Sequence, residues 1–256
     1  MHGPANELPI IAADILARLR TQGPRVHCIT NSVAQNLTAN ALLAVGAVPS
    51  MTIAAEEIGE FVKRAGALLV NLGTFDAGRR AASAIAIGAA NELNLPWVLD
   101  PVFVDRSEPR AAYAKGLAAR APRAMRLNRM EFVALAGAEP EGGVLEGYAR
   151  VHGSVIGLTG ATDLVADGTR LVKITNGHAL MSKVTALGCA TSALVAACLA
   201  VERDALHASA AALLAMGVAG EIAAKRARGP GTFAVEILDV LYSLDRDMLV
   251  AYAKVS

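Results

Sequence analysis

Net charge is almost absent from this chain, and aromatic side chains are scarce. Its 24 basic and 23 acidic residues leave a formal charge of +1, so no bulk field draws it to nucleic acid or to an anionic membrane surface. Phe, Trp and Tyr make up 4% of the residues, which leaves no stacking platform for bases. Cysteine is limited to Cys28, Cys189 and Cys198, an odd number in no metal-ligand spacing. On one helix, Cys189 and Cys198 would point to opposite faces about 13 Å apart and could not bridge. Reduced thiols imply a cytoplasmic protein. Also missing are a G-x-x-x-x-G-K-[ST] loop, a G-x-G-x-x-G after the first β-like run, an H-E-x-x-H among the histidines and a G-x-S-x-G elbow. These absences argue against P-loop, dinucleotide-binding, zincin and α/β-hydrolase chemistry. The start, MHGPANELPIIAADILARLRTQG, lacks the basic opening and long apolar run of a signal peptide and reads as an amphipathic helix. Apolar runs elsewhere are rich in Ala, broken by Gly or interrupted by charge. A soluble chain without nucleic-acid or membrane partners is expected.

What is present is alternation. The runs VHCIT (26–30), VPSMTI (48–53), ALLVNLG (67–73), PWVLD (96–100), AMRLN (124–128), VIGLTG (155–160), DLVAD (163–167) and RLVKIT (170–175) are short and aliphatic, as strands are. Helix-like stretches near 33–46, 55–65, 76–94 and 111–121 separate the early ones, which predicts an α/β fold with a mostly parallel sheet covered on both faces. Asp167-Gly168 between the last two runs is a hairpin signal. Helices are expected at 189–202, 205–227 and 233–253. With no linker, repeat or low-complexity segment, residues 1–256 read as one domain.

In such sheets ligands bind at the carboxyl ends of the strands, and four strand exits carry polar groups. After VHCIT comes Thr30-Asn31-Ser32-Val33-Ala34-Gln35, in which Ser32 and Gln35 have capping-box spacing; Asn31 could offer an amide to a ligand. PWVLD ends on Asp100 and AMRLN is followed by Asn128-x-x-Glu131. Each acid has a plain reading, a turn former or a first-turn helix acid, yet two carboxylates at neighbouring strand ends also suit Mg²⁺, which uses few protein ligands and keeps water. Thr159 and Gly160 close the next run, either as a turn or as one wall of a nucleotide site. The fourth place is Thr185-Ala186-Leu187-Gly188-Cys189, opening an apolar helix. Free amides at a helix start attract anions, so Cys189 is either small core filler or a group set where negative charge arrives.

The order of these stretches resembles the hydroxyethylthiazole kinase family, which belongs to the ribokinase-like kinases. The resemblance rests on VHCITNSVAQNLTANALLAVGAVPSM (26–51), VNLGTFD (70–76), VLDPV (98–102), RLNRMEF (126–132), LTGATDLVADG (158–168), NGHALMSKVTALGC (176–189) and GPGTFAVEILDVLY (229–242), and covers nearly the whole chain. It implies a three-layer αβα sandwich and an ATP- and Mg²⁺-dependent phosphotransferase acting on the hydroxyl of 4-methyl-5-(2-hydroxyethyl)thiazole in thiamine salvage. It also implies a homotrimer with the thiazole site between subunits. Carried over by position, Asn31, Val33, Met51 and Ala186 fall on the thiazole side. Arg110, Thr159, Thr185 and Gly188 fall on the nucleotide side, Arg110 as the arginine that holds phosphates. Asp100 and Glu131 fall around Mg²⁺, and Cys189 stands where related sugar kinases have an aspartate base. A helix N-terminus should lower the thiol's pKa and make it a partial thiolate.

Two stretches depart from the family pattern. Phe103, Val104, Asp105, Arg106 and Ser107 stand where a glycine-containing G-x-G-A-T loop is usual, and Ala186 replaces the first glycine of T-G-x-G-C. Alanine resists the positive φ that glycine adopts freely, so an obstructed anion hole and a crowded approach to Arg110 are expected. A working thiazole kinase is the leading reading. The alternatives are a relative that binds a thiazole-like ligand with weakened catalysis, and a Cys189 hydrolase that lacks a histidine partner.

Overall fold

Alternate residues of the central strands enter two separate cores, one on each face of a single sheet. The computed structural model describes residues 4–256, with side chains from Glu7 onward. In chain order the elements are α1 (Pro4–Gln22), β1 (Arg25–Ile29), α2 (Gln35–Ala44), β2 (Val48–Ser50), α3 (Ile58–Lys63), β3 (Ala67–Asn71), α4 (Ala77–Glu92), β4 (Trp97–Asp100), α5 (Glu108–Ala118) and β5 (Ala124–Asn128). They continue with α6 (Arg129–Ala136), α7 (Val144–His152), β6 (Val155–Thr159), β7 (Asp163–Ala166), β8 (Leu171–Ile174), α8 (Leu187–Val201), α9 (Ala205–Arg226), α10 (Pro230–Ser243) and α11 (Arg246–Tyr252). The sheet order is β2-β1-β3-β4-β5-β6-β7-β8. Strands β1 to β6 run parallel, and β7 and β8 close the sheet antiparallel through the turn at Gly168, whose φ is +93°.

Leu69, Val98, Ala124 and Val155 face a layer built from α1, α2, α8, α9, α10 and α11. Their neighbours Leu68, Val70, Leu99, Met125 and Ile156 face α3 to α7. Strands buried on both sides need apolar residues at every position, which is why β3 and β4 read as unbroken apolar runs. This is the three-layer αβα arrangement that the alternation predicts. Helix α9, the one described helix long and apolar enough to cross a membrane, has 89% of its apolar window buried inside the fold.

Several local expectations fail. Helix α7 is not among those expected, α6 is foreshadowed only by the first-turn reading of Glu131, and the run at 48–53 yields only the three-residue β2. The expected helix 233–253 is two, because Asp245 caps α11 by accepting the Met248 N–H at 2.8 Å. No capping box forms at Ser32 and Gln35: Asn31 Oδ1 takes the Ala34 N–H at 2.9 Å, and the Ser32 amide turns to Thr74 Oγ1 at 3.3 Å. The capping box lies instead at α6, where Glu131 N–H donates to Asn128 Oδ1 at 3.0 Å and Asn128 N–H donates to Glu131 Oε2 at 2.9 Å.

Candidate active site

From β1 the chain runs out to edge strand β2 and returns on the other side as β3. That reversal opens a crevice at the carboxyl ends of β1 and β3, the place where open α/β sheets take ligands. Asn31 just beyond β1 and Asn71 closing β3 meet across it, Asn31 Nδ2 donating to Asn71 Oδ1 at 3.2 Å. Asp100, Asn128 and Thr159 end the next three strands, and the N-terminus of α8 enters from the helical layer.

The backbone before α8 settles one departure from the family pattern. Ala186 has φ 71° and ψ −1°, the left-handed conformation. The expectation that alanine would refuse it is wrong here, since tertiary packing overrides a local cost of about 1–2 kcal/mol. Gly188 matters for a different reason: a Cβ there would lie 2.9 Å from Arg126 Nη1 and displace the guanidinium. Arg126 Nη2 donates to Thr159 Oγ1 at 2.7 Å, while its Nε is buried without a partner. The start of α8 and this guanidinium therefore form one cationic corner, and anions are favoured there by charge as well as by free amides.

Cys189 lies in the first turn of α8, its Sγ accepting from Asn31 Nδ2 at 3.2 Å. Burial and the neighbouring Asp100 carboxylate push the thiol up to about 11, outweighing the hydrogen bonds from Asn71 and Asn31. The expected partial thiolate is thus corrected to a thiol, because desolvation exceeds the pull of the helix terminus. Cys28 and Cys198 are free and fully buried.

Asp100 has no solvent exposure. Asn71 Nδ2 at 2.6 Å and Ser192 Oγ at 2.8 Å both donate to its Oδ2, and its Oδ1 has no partner. Burial raises this carboxyl to about 6, with Arg126 opposing and Glu131 adding to the rise. Glu131 is raised mainly by burial and accepts the Phe103 and Asn128 amides on different oxygens. Among the described residues no group of three or more His, Cys, Asp or Glu is placed to hold a metal ion. Two carboxylates, one with an orphaned buried oxygen, still fit a hard cation that keeps most of its water.

Residues 103–107 pass beside Glu131, whose Oε1 accepts the Phe103 N–H at 3.1 Å. Phe103, at φ 63°, presents an exposed ring under the Arg106 guanidinium at 4.9 Å, while Val104 enters the core. The Arg110 guanidinium is engaged within the fold. Arg110 Nη1 donates to the backbone carbonyls of Leu72 and Val102, and the guanidinium lies 5.2 Å over the Phe75 ring. A cleft of about 630 Å³ leads outward from the corner between Arg126, Thr159, Asp163, Asn176, His178 and Gly188.

Residues 16–247 match the family described as the Hydroxyethylthiazole kinase family. The chain is 45% identical over 251 residues to the hydroxyethylthiazole kinase of Granulibacter bethesdensis, covering 92% of this chain and 90% of that one. It belongs to the hydroxyethylthiazole kinase family. The hydroxyethylthiazole kinase structure from Pyrococcus horikoshii OT3 superposes with a TM-score of 0.92 at 39% identity, over 96% of this chain and 98% of that one. A ribokinase-like superfamily protein from Enterococcus faecalis, 15% identical, superposes at 0.69 over 91% and 95% of the two chains, a likeness of fold alone.

Of the positions matched to hydroxyethylthiazole kinase motifs, the structure gathers Asn31, Cys189, Gly188, Thr159, Asp100 and Glu131 at one end of the sheet. Val33 is 69% exposed, Met51 packs half-buried against the α1, α8 and α9 layer, and Thr185 is exposed. Sequence reasoning missed Arg126, Asn71 and Ser192. A charged residue inside the apolar run AMRLN was the available signal for Arg126, and the polar end of the apolar run ALLVN was the one for Asn71; nothing local marked Ser192.

Proposed function

We propose that the chain transfers the γ-phosphoryl group of ATP to the hydroxyl of 4-methyl-5-(2-hydroxyethyl)thiazole, the salvage step of thiamine synthesis. The observation that carries this is the cationic corner of Arg126, Gly188 and the α8 N-terminus, next in the chain to Cys189, whose sulfur accepts from Asn31 at 3.2 Å to form an alcohol-side pair. Phosphoryl transfer asks for positioning and charge neutralisation more than for covalent chemistry. Arg126 and the α8 amides would neutralise the transferring group, with Thr159 and Gly188 along the nucleotide cleft and Thr185 at its rim. Asn31 and Cys189 would orient the hydroxyl. As a thiol, Cys189 holds the alcohol in line and does not remove its proton beforehand, which suits a loose transition state. Asp100 and Glu131 would hold Mg²⁺, which supplies charge neutralisation on the phosphates. Arg110 serves the nucleotide side by bracing the ends of β3 and β4.

The exposure of Val33, together with exposed Val48 and Phe61 on the β2 side, supports a homotrimer whose neighbour completes the thiazole pocket over Val33, Met51 and Ala186. A single kinase domain over 1–256, of which residues 1–3 lie outside those described, and a cytoplasmic location complete the reading. The Ala186 departure lends the weakened-relative alternative little support, because the backbone there already has the left-handed shape that glycine would take. ADP formation, with and without the thiazole alcohol and with excess chelator, tests the activity. Turnover that is independent of the alcohol or of the metal would refute it, and a stable, fully active monomer in sedimentation would refute the shared pocket.

A further inference from the structure

Strand β3 ends on Asn71, a buried amide to which the reading above gives no task. Its Oδ1 accepts the Gly73 N–H at 2.9 Å. A backbone N–H can only donate, so this contact fixes which side of the amide is oxygen. The same Oδ1 receives Asn31 Nδ2 at 3.2 Å, and the opposite side, Nδ2, donates to Asp100 Oδ2 at 2.6 Å. Asn31 Nδ2 also reaches Cys189 Sγ at 3.2 Å. The chain Asp100, Asn71, Asn31, Cys189 thus crosses the crevice from its acidic side to its alcohol side. Space is reserved for it: a Cβ on Gly73 would lie 2.6 Å from Asn31 Nδ2.

Both hydrogen bonds to Asp100, from Asn71 and from Ser192, fall on Oδ2, and the buried Oδ1 is left without a partner. The terminal torsion of an aspartate is soft and nearly two-fold, so these two donors decide which oxygen faces the site. A buried oxygen left bare is unfavourable unless a ligand takes it.

We infer that Asn71 is a positioning residue of the transfer, holding Asp100 with Oδ1 presented to the divalent cation and holding Asn31 in register with Cys189, so that one amide aligns both halves of the reaction. The inference rests on placing Asp100 at the metal and Asn31 at the alcohol. Replacement by alanine removes the acceptor of two N–H groups and one of two donors to Asp100. Replacement by aspartate keeps the shape and reverses the contact with Asp100 from donor to acceptor.

The test uses the full-length enzyme and its Asn71→Ala, Asn71→Asp, Asn31→Ala and Asp100→Asn variants. Steady-state constants are measured for both substrates, together with the Mg²⁺ concentration at half-maximal thermal protection in the presence of ADP, a readout that needs no turnover. Misplacement on the ångström scale costs about a hundredfold in rate, so kcat should fall about that much in both Asn71 variants. The Mg²⁺ midpoint should rise about tenfold, and Asn31→Ala combined with Asn71→Ala should lose less than the product of the two single losses, because the two residues share one hydrogen bond. A residue with a packing role only would lower the melting temperature and leave the Mg²⁺ midpoint unmoved. That result, or losses that multiply in the double variant, overturns the inference. If Asn71→Ala does not fold, the isosteric Asn71→Asp decides it by the same two readouts. Asp100→Asn separates the failures: an unmoved Mg²⁺ midpoint there sinks the metal assignment itself, whereas a midpoint that moves there and not in the Asn71 variants sinks only the role of Asn71.

Discussion

Gly188 and the Arg126 guanidinium lie so close that a methyl group on Gly188 would meet Nη1 at 2.9 Å, Nη2 at 3.2 Å and Cζ at 3.3 Å. All three atoms belong to the far end of a flexible side chain, so the guanidinium would move and the backbone would stay. In Gly188→Ala the fold should therefore be retained, helped by the better helix propensity of alanine. The ATP-dependent rate should fall by about a hundredfold, the scale of one lost charge-stabilising donor. Binding of the thiazole alcohol without nucleotide, measured by calorimetry, should be unchanged. A normal rate would show that Arg126 does not touch the phosphates.

Ala186 holds the left-handed conformation that glycine occupies without strain. Ala186→Gly should stabilise the protein by about 1 kcal/mol, a rise of about 2–4 °C in thermal denaturation for a chain of this size. Because the backbone already has the required shape, kcat should change less than about twofold. A large gain in rate would mean that the methyl group obstructs the phosphate after all.

Asp100, raised to about 6 by burial, has a pH signature of definite sign. Its folded pKa exceeds the unfolded value of about 3.9, so the fold favours the neutral acid. The stability this contributes is complete below about pH 4 and is lost as pH rises through about 6. Asp100→Asn, neutral throughout, should melt several degrees above the parent near pH 8 without metal, and level with it near pH 4. Adding Mg²⁺ and ADP should protect the parent and not the variant. Equal melting at both pH values would mean that the carboxyl is not strained by burial.

Cys189, at about 11, remains a thiol across about pH 6 to 9, and Asn31 keeps its sulfur in place. Cys189→Ser should lower kcat with little effect on alcohol affinity. It should leave the shape of the kcat profile unchanged over that range, since no thiolate titrates there. An alkaline limb present in the parent and lost in the variant would restore the base role.

The layered fold was legible because its central strands, buried on both faces, must be apolar throughout, and Asp167-Gly168 announces its own turn. Helices α6 and α7 escaped because each is only two to three turns long and bounded by Gly137, Gly143 and Gly153, which reads as loop. Within the site, strand-end residues such as Asp100 and Thr159 were legible from position alone. Arg126 and Ser192 were not, and Asn71, though a strand end too, has a role that depends on Asn31 and Asp100 from the ends of neighbouring strands. The Cys189 error has the same origin: a helix terminus is a local feature, but the burial that overrides it is assembled from β1, β3 and β4. Ala186 shows the converse, a local preference overridden by surrounding packing.

Helix α9 is hidden by α1 from the beginning of the chain, by α8 from just before it, and by α10 and α11 from just after. A ribosome making this protein therefore releases α1 long before its main neighbour exists. When the 22 residues of α9 emerge, the cover from α10 is still inside the exit tunnel. For that interval the nascent chain carries an apolar helix open to solvent, long and apolar enough to pass for a membrane span. Completion of the last helices ends that exposure, so the helical layer closes only as synthesis finishes.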